Sequence, residues 1–271
     1  HVAAFRHHHE DGLERMLPYV EEQYFIDMLC WYHIAWLGES LKQDPRIIVL
    51  MEKGSGFDMA DRRVLAEVIY EALAGIVPRY RALAERGQLE LSMTPYGHPI
   101  VPLLHDFENM RCALPDAPAP SAENYPGGSE RSHWHMEAGI AMFEQHFGMR
   151  PQGVWLSEGG VSSDAFDLLD EYDIRWTATG EGVWRNSSHL SEHDLEEISS
   201  KRGLFSPHTH NSNKVRIFFR DDGLSDLIGF EYSNWNADDA VADFIGHLDN
   251  IATFLGDEAD KYVVSVILDG E

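Results

Sequence analysis

Residues 153–162, Gly-Val-Trp-Leu-Ser-Glu-Gly-Gly-Val-Ser, constrain the fold more than any other stretch of the chain. The short apolar run from Val154 to Leu156 has strand character and stops at Ser157, Glu158 and two glycines. Polar residues from Ser162 onward then open a helical pattern. α/β folds present a side chain in this way at the carboxyl edge of a sheet, and the glycines let backbone approach whatever the carboxylate serves. The same rhythm recurs along the chain. Strands are predicted over 89–93, 174–179, 215–219 and 261–268, with helices over 60–85, 129–148, 163–172 and after the cap residue Asn236. The strands end in Glu158, Glu181, the pair Arg220-Asp221, and Asp269. Charged residues at successive carboxyl ends of alternating strands and helices predict an α/β, TIM-barrel-like architecture with a parallel sheet. Residues 261–268 are almost continuously apolar, which predicts a strand buried on both faces.

Several other stretches add expectations. Residues 24–37 are dense in aromatics and read as a buried helix. Its Trp31, Tyr32 and Trp36 either pack a core, the simpler reading, or line a sugar cleft. Pro78 should kink or split the helix over 60–85. In the run Thr94-Pro-Tyr-Gly-His-Pro-Ile-Val-Pro, three prolines fix the backbone around His98 where a strand leaves the sheet. That placement suits a ligand-contacting donor, or equally a His bonded to loop backbone. Residues 114–129, rich in proline and glycine, read as a long loop over the active face. The helix after it buries Met136, Ile140, Phe143 and Phe147 and stops at Gly148. Residues 186–213 read as a solvated, His-rich loop. Val241, Phe244, Leu248, Ala252 and Leu255 form one apolar stripe on the last helix.

Composition narrows the partners. With 271 residues, 44% of them hydrophobic and 25% charged, the chain can bury a full core, and residues 1–271 read as one domain. The 46 acidic residues outnumber the 21 basic ones, for a net charge of −25, which disfavours nucleic acid and anionic membranes as partners. A neutral substrate is the easier reading. Cys30 and Cys112 are too few for a disulfide framework or a thiolate metal site. The chain shows no signal peptide, and a soluble, cytoplasmic setting fits. It starts at His1 and stops at Glu271 directly after a strand pattern, so both ends read as cut and the chain as a fragment of a longer polypeptide.

The chain carries no Gly-rich phosphate loop, no nucleophilic Ser elbow and no Cys-His constellation. Neither His7–His9 nor the pair His133 and His135 can converge on one metal ion. What remains is carboxylates with Trp, His and Arg in the same loops. Two carboxylates suffice for glycoside cleavage, one attacking the anomeric carbon and the other giving a proton to the leaving oxygen. Glu158 and Asp269 are far apart in sequence, so only closure of the fold would bring them together. For a retaining enzyme their carboxyls should then lie about 5–5.5 Å apart.

Four blocks resemble glycoside hydrolase family 57, and the resemblance runs from about Tyr24 to the last residue. They are Thr94-Pro-Tyr-Gly-His-Pro-Ile-Val-Pro-Leu-Leu, the Glu158 block, Phe218-Phe-Arg-Asp-Asp-Gly-Leu-Ser-Asp-Leu-Ile-Gly-Phe, and Ile267-Leu-Asp-Gly-Glu. The family contains amylases, amylopullulanases, glucanotransferases and branching enzymes. The resemblance implies an incomplete (β/α)7 barrel and a retaining mechanism on α-1,4-linked glucans such as maltooligosaccharides, with no cofactor and no metal. It implies Glu158 as nucleophile and Asp269 as general acid/base. It also implies His98, Trp155, Glu181, Arg220 and Asp221 as substrate-binding residues. The sequence departs from the family in lacking the opening His-Gln-Pro block. It also carries Asp222 where many members have His, and Gly180 where many have Asp.

Two other readings compete with this one. A metal-dependent deacetylase or α-mannosidase-type enzyme would use His208, His210 or His98 with an Asp as zinc ligands. A non-catalytic glycan-binding protein would keep the aromatics and need neither carboxylate.

Overall fold

The computed structural model describes residues 20–114, 116, 118, 120–122, 124–187 and 201–268. The His7–His9 run, part of the expected polar loop and Asp269 lie outside them. The chain divides into two compact units, residues 1–79 and 80–271.

The first unit is helical. Helix α1 (Glu22–Trp36), α2 (Pro45–Lys53) and the start of α3 (Met59–Glu85) enclose a core of Cys30, Ile34, Leu37, Ile47, Leu50, Phe57, Leu65 and Val68. Asp44 starts α2 by accepting the Arg46 N–H at 2.9 Å, with Pro45 at the first helical position, where a missing N–H costs nothing. Burial pushes the Cys30 thiol up, so this cysteine is a core hydrophobe rather than a nucleophile.

Two expectations are corrected in part. Helix α1 is not buried all round: Trp36 is 76% exposed, Tyr32 57% and Trp31 37%, because only the Cys30–Ile34 stripe faces the core. Core packing therefore fails for Tyr32 and Trp36, whereas Trp31 meets the buried Phe57 edge-on at 6.4 Å and donates Nε1–H to Gly54 O at 2.7 Å. Of the kink or split expected at Pro78, the split does not occur. Helix α3 runs through Pro78 as one 27-residue element, since a proline removes one backbone hydrogen bond and the long flanking turns keep theirs.

The second unit is α/β. Strands β1 (Ser92–Met93), β2 (Gly153–Val154), β3 (Trp176–Gly180) and β4 (Arg216–Arg220) form a parallel sheet in the order β1-β2-β3-β4. Ser92 pairs with Gly153, Gly153 with Trp176 and Trp176 with Arg216, so the four strands start at one level. The connections carry helices α4 (Val101–His105), α5 (Gly128–Phe147), α6 (Ser163–Glu171) and α7 (Glu181–Ser187), as parallel strands require. Helix α5 buries Met136, Ile140 and Phe143 and stops at Gly148, whose N–H reaches Glu144 O. These side chains pack on Met93, Val154, Leu156, Leu168, Leu169 and Val215 to form the main core. Ser162 caps α6 by accepting the Ala165 N–H at 3.2 Å.

After β4 come α8 (Asp222–Asp226) and α9 (Ala237–Leu255). Asn236 caps α9 as expected, but Val241 is 62% exposed, so the apolar stripe is covered mainly at its Leu255 end. Within the 201–213 part of the expected solvated loop, only residues 203–205 are buried, while 207, 209, 211 and 212 are exposed as expected. Gly203, Leu204 and Phe205 are buried in a 3-10 turn beside Trp184 and Phe219. The expected strand over 261–268 is reduced to a single parallel bridge, Arg220 to Ser265. Burial on both faces needs cover on both sides; Val263 (45%) and Leu268 (49%) remain exposed. No helix among the described residues is long and apolar enough to cross a membrane.

Candidate functional site

Glu158 sits in the single 3-10 turn Ser157–Gly159 that follows β2, at φ 56° and ψ 19°. A left-handed non-glycine residue costs roughly 1–2 kcal/mol and persists only where the surroundings enforce it. Here they do. The Gly159 N–H reaches Leu156 O at 2.8 Å, the Gly160 N–H reaches Ser157 O at 3.0 Å, and Thr179 Oγ1 donates to Gly159 O at 2.6 Å. Gly159 is itself left-handed, at φ 63°, and a Cβ there would lie 3.2 Å from the Trp155 ring. The turn aims the Glu158 carboxylate outward, with its side chain 73% exposed.

His98 is also left-handed, at φ 55°, in the proline-bounded loop after β1, and its N–H closes a turn on Pro95 O at 3.1 Å. Its Nε2 lies 3.3 Å from Glu158 Oε1. Two residues far apart in sequence, each held in a costly backbone conformation, therefore meet at the carboxyl ends of β1 and β2.

Glu158 stands at a cleft of about 690 Å³ whose walls also include Trp155, Trp176, Arg220 and Phe230, and His98 adjoins it through Glu158. Trp176 lies against Gly153 on the neighbouring strand, where a Cβ would come within 2.0 Å of the indole, and donates Nε1–H to Glu90 at 2.6 Å. Trp176 and Phe230 received no role from sequence. The signal for Trp176 is the glycine opposite it, visible only once the register is known. Ile267 and Leu268, the last described residues, line the same cleft, while Asp269 lies outside the described residues.

The remaining candidates are held by the protein's own groups. Arg220 faces the cleft but bonds Asp222, Asp226 and the Ile267 carbonyl. Asp221 is buried and caps α8, accepting the Leu224 N–H at 2.9 Å. Glu181 is 4% exposed at the start of α7, bonded by Arg185 and by Lys201 at 3.1 Å. Burial alone would push its carboxyl pKa up. The Lys201 hydrogen bond and charge, and those of Arg185, outweigh burial and leave it below the ordinary value. Of the expected site residues, then, Trp155, Glu158 and Arg220 line one cleft and His98 adjoins Glu158, while Glu181 and Asp221 do not line that cleft.

The zinc reading finds no ligand set. Among the described residues no three His, Cys, Asp or Glu side chains are grouped to hold a metal. His208 Nε2 lies 2.6 Å from Gly203 O, and His210 Nε2 lies 3.0 Å from Ser163 Oγ. His98 Nε2 lies 3.3 Å from Glu158 Oε1.

The sequence matches the model of glycosyl hydrolase family 57 over residues 5–271. Comparison with curated proteins finds no match. Three solved structures resemble the chain at low identity. An α-amylase from Thermotoga maritima is 15% identical, with 76% of this chain and 32% of that one covered at a TM-score of 0.43. A 4-α-glucanotransferase from Thermococcus litoralis is 20% identical, covering 77% and 25% at 0.44. A branching enzyme from Pyrococcus horikoshii is 15% identical, covering 74% and 34% at 0.41. The chain thus spans about a quarter to a third of the length of these proteins.

Proposed function

Because the chain belongs to glycosyl hydrolase family 57, we propose that it carries the catalytic centre of a retaining hydrolase or transglycosylase acting on α-1,4-linked glucans. The observation that supports this most is Glu158 itself: an exposed carboxylate at the end of a parallel strand, held in a left-handed turn, with His98 at 3.3 Å and a cleft walled by indoles. In this reading the four-stranded sheet is part of an incomplete (β/α)7 barrel, whose catalytic groups gather at the carboxyl ends of the strands.

Glu158 attacks the anomeric carbon while Asp269 protonates the glycosidic oxygen. The bond to the leaving sugar breaks and a glycosyl ester forms on Glu158. Asp269 then takes a proton from water or from a sugar hydroxyl, whose oxygen attacks the same carbon and releases Glu158. Water completes hydrolysis and a sugar completes transfer. Trp155 offers an apolar face to a pyranose ring, and His98 a ring N–H to a hydroxyl or to the carboxylate.

The test is turnover of maltooligosaccharide by the full-length protein, wild type beside Glu158→Gln, with and without EDTA. Wild-type activity indifferent to EDTA, with a loss of orders of magnitude in the variant, is the expected result. Activity that survives Glu158→Gln, or that vanishes with the chelator, overturns the reading.

A further inference from the structure

The segment that leads to Asp269 is barely held by the sheet. Its one bridge to β4 is at Ser265, where the Asp221 N–H donates to Ser265 O at 2.9 Å. Two residues on, side chains replace the ladder. The Ile267 N–H donates to Ser225 Oγ at 3.1 Å, and the Ile267 carbonyl accepts from Arg220 Nε at 2.9 Å. Ser225 is fully buried and passes its own proton to Asp221 O at 2.7 Å, so its oxygen is fixed. Arg220 is fixed too: Nη1 donates to Asp222 Oδ1 at 2.7 Å and Nη2 to Asp226 Oδ1 at 2.5 Å. All three nitrogens of the guanidinium have partners within the chain.

A planar cation anchored on two carboxylates is a rigid donor, well suited to hold a backbone carbonyl and poorly suited to adapt to a sugar. We propose that Arg220 is a positioning residue rather than a sugar contact: with Ser225 it clamps both backbone groups of Ile267 and so sets where the chain delivers the Asp269 carboxyl, two residues further on. The inference rests on the two-carboxylate reading above. It also gives Asp222 a role, since this residue, standing where many family members have His, is one of the two anchors of the clamp.

The test joins two readouts in the full-length protein. Amide hydrogen exchange at Ile267 reads the clamp without any activity; Ser225→Ala should speed it about tenfold, the worth of one ordinary hydrogen bond. Kinetics read the consequence. Arg220→Lys and Ser225→Ala should lower kcat on maltooligosaccharide by about ten- to a hundredfold, as a misplaced catalytic group does, with KM nearly unchanged. The loss should be much smaller on an aryl α-glycoside whose leaving group needs no proton. Asp226→Asn, at an exposed anchor, should show the same pattern more weakly and guards against a folding defect in the buried Ser225 variant. A KM increase at constant kcat would make Arg220 a sugar contact and overturn the proposal, as would unchanged exchange at Ile267 in Ser225→Ala. Absence of any glycosyl turnover in the wild type would sink the two-carboxylate reading instead, and the exchange data would still decide whether the clamp exists.

Discussion

Two carboxylates follow parallel strands in nearly the same sequence setting, Ser-Glu-Gly-Gly after β2 and Gly-Glu-Gly after β3, and the structure treats them oppositely. Glu158 is left-handed and exposed, with the His98 ring at 3.3 Å. Glu181 is buried at 4% exposure beneath Arg185 and Lys201. A carboxylate that must react needs open access and cannot be neutralised by fixed cations. One that ties a helix start to a distant chain segment needs the reverse. A carboxylate between glycines at a strand end thus marks a place where function is possible, and its charge partners decide whether it is used.

The largest effects should separate the two residues by activity. Under the proposed mechanism, Glu158→Gln should reduce turnover by at least about a thousandfold, while urea unfolding stays within about 0.5 kcal/mol of wild type. Glu181→Gln should behave inversely, losing about 1–3 kcal/mol of unfolding free energy in urea titration while folded protein keeps its turnover. Similar activity losses in both variants would break the comparison.

A pH series sharpens it. The folded-state pKa of Glu181 is depressed, because Lys201 and Arg185 more than offset the upward push of burial. Its contribution to stability is therefore complete above the unfolded-state pKa, near 4.5, and is lost as pH falls through the lower folded value. The stability gap between wild type and Glu181→Gln should be full at neutral pH and shrink below about pH 4.5. A gap that widens with acid would contradict the ion-pair assignment.

The smallest effect probes strain. Glu158→Gly removes a side chain from a left-handed position, so it should abolish turnover yet leave stability unchanged or raise it by up to about 1 kcal/mol. A clear loss of stability in thermal or urea unfolding would mean that the Glu158 side chain holds the turn, and that its conformation is not tolerated for function alone.

Much of this molecule is legible in local sequence. The α5 stripe of Met136, Ile140 and Phe143, the stop at Gly148, the helix opening at Ser162 and the cap Asn236 are short-range signals, and each appears where the residues place it, while the strand expected over 154–156 is realised only at Gly153–Val154. The errors share a cause. Residues 261–268 and the aromatics of α1 are apolar enough to be buried, but burial depends on whether another layer arrives to cover them. Val263, Leu268, Tyr32 and Trp36 are exposed because the elements beside them cover one side only.

The chain's local chemistry decides where strands stop, where helices begin and which side chains stand at the sheet's edge, since propensity, capping and periodicity act over a few residues. Tertiary structure alone decides what those side chains meet. His98 reaches Glu158 across 60 residues, Trp176 reaches Glu90 across 86, and Arg220 reaches Ile267 across 47. Such contacts follow from strand register and chain reversal, and both are properties of the assembled sheet rather than of any one of its segments.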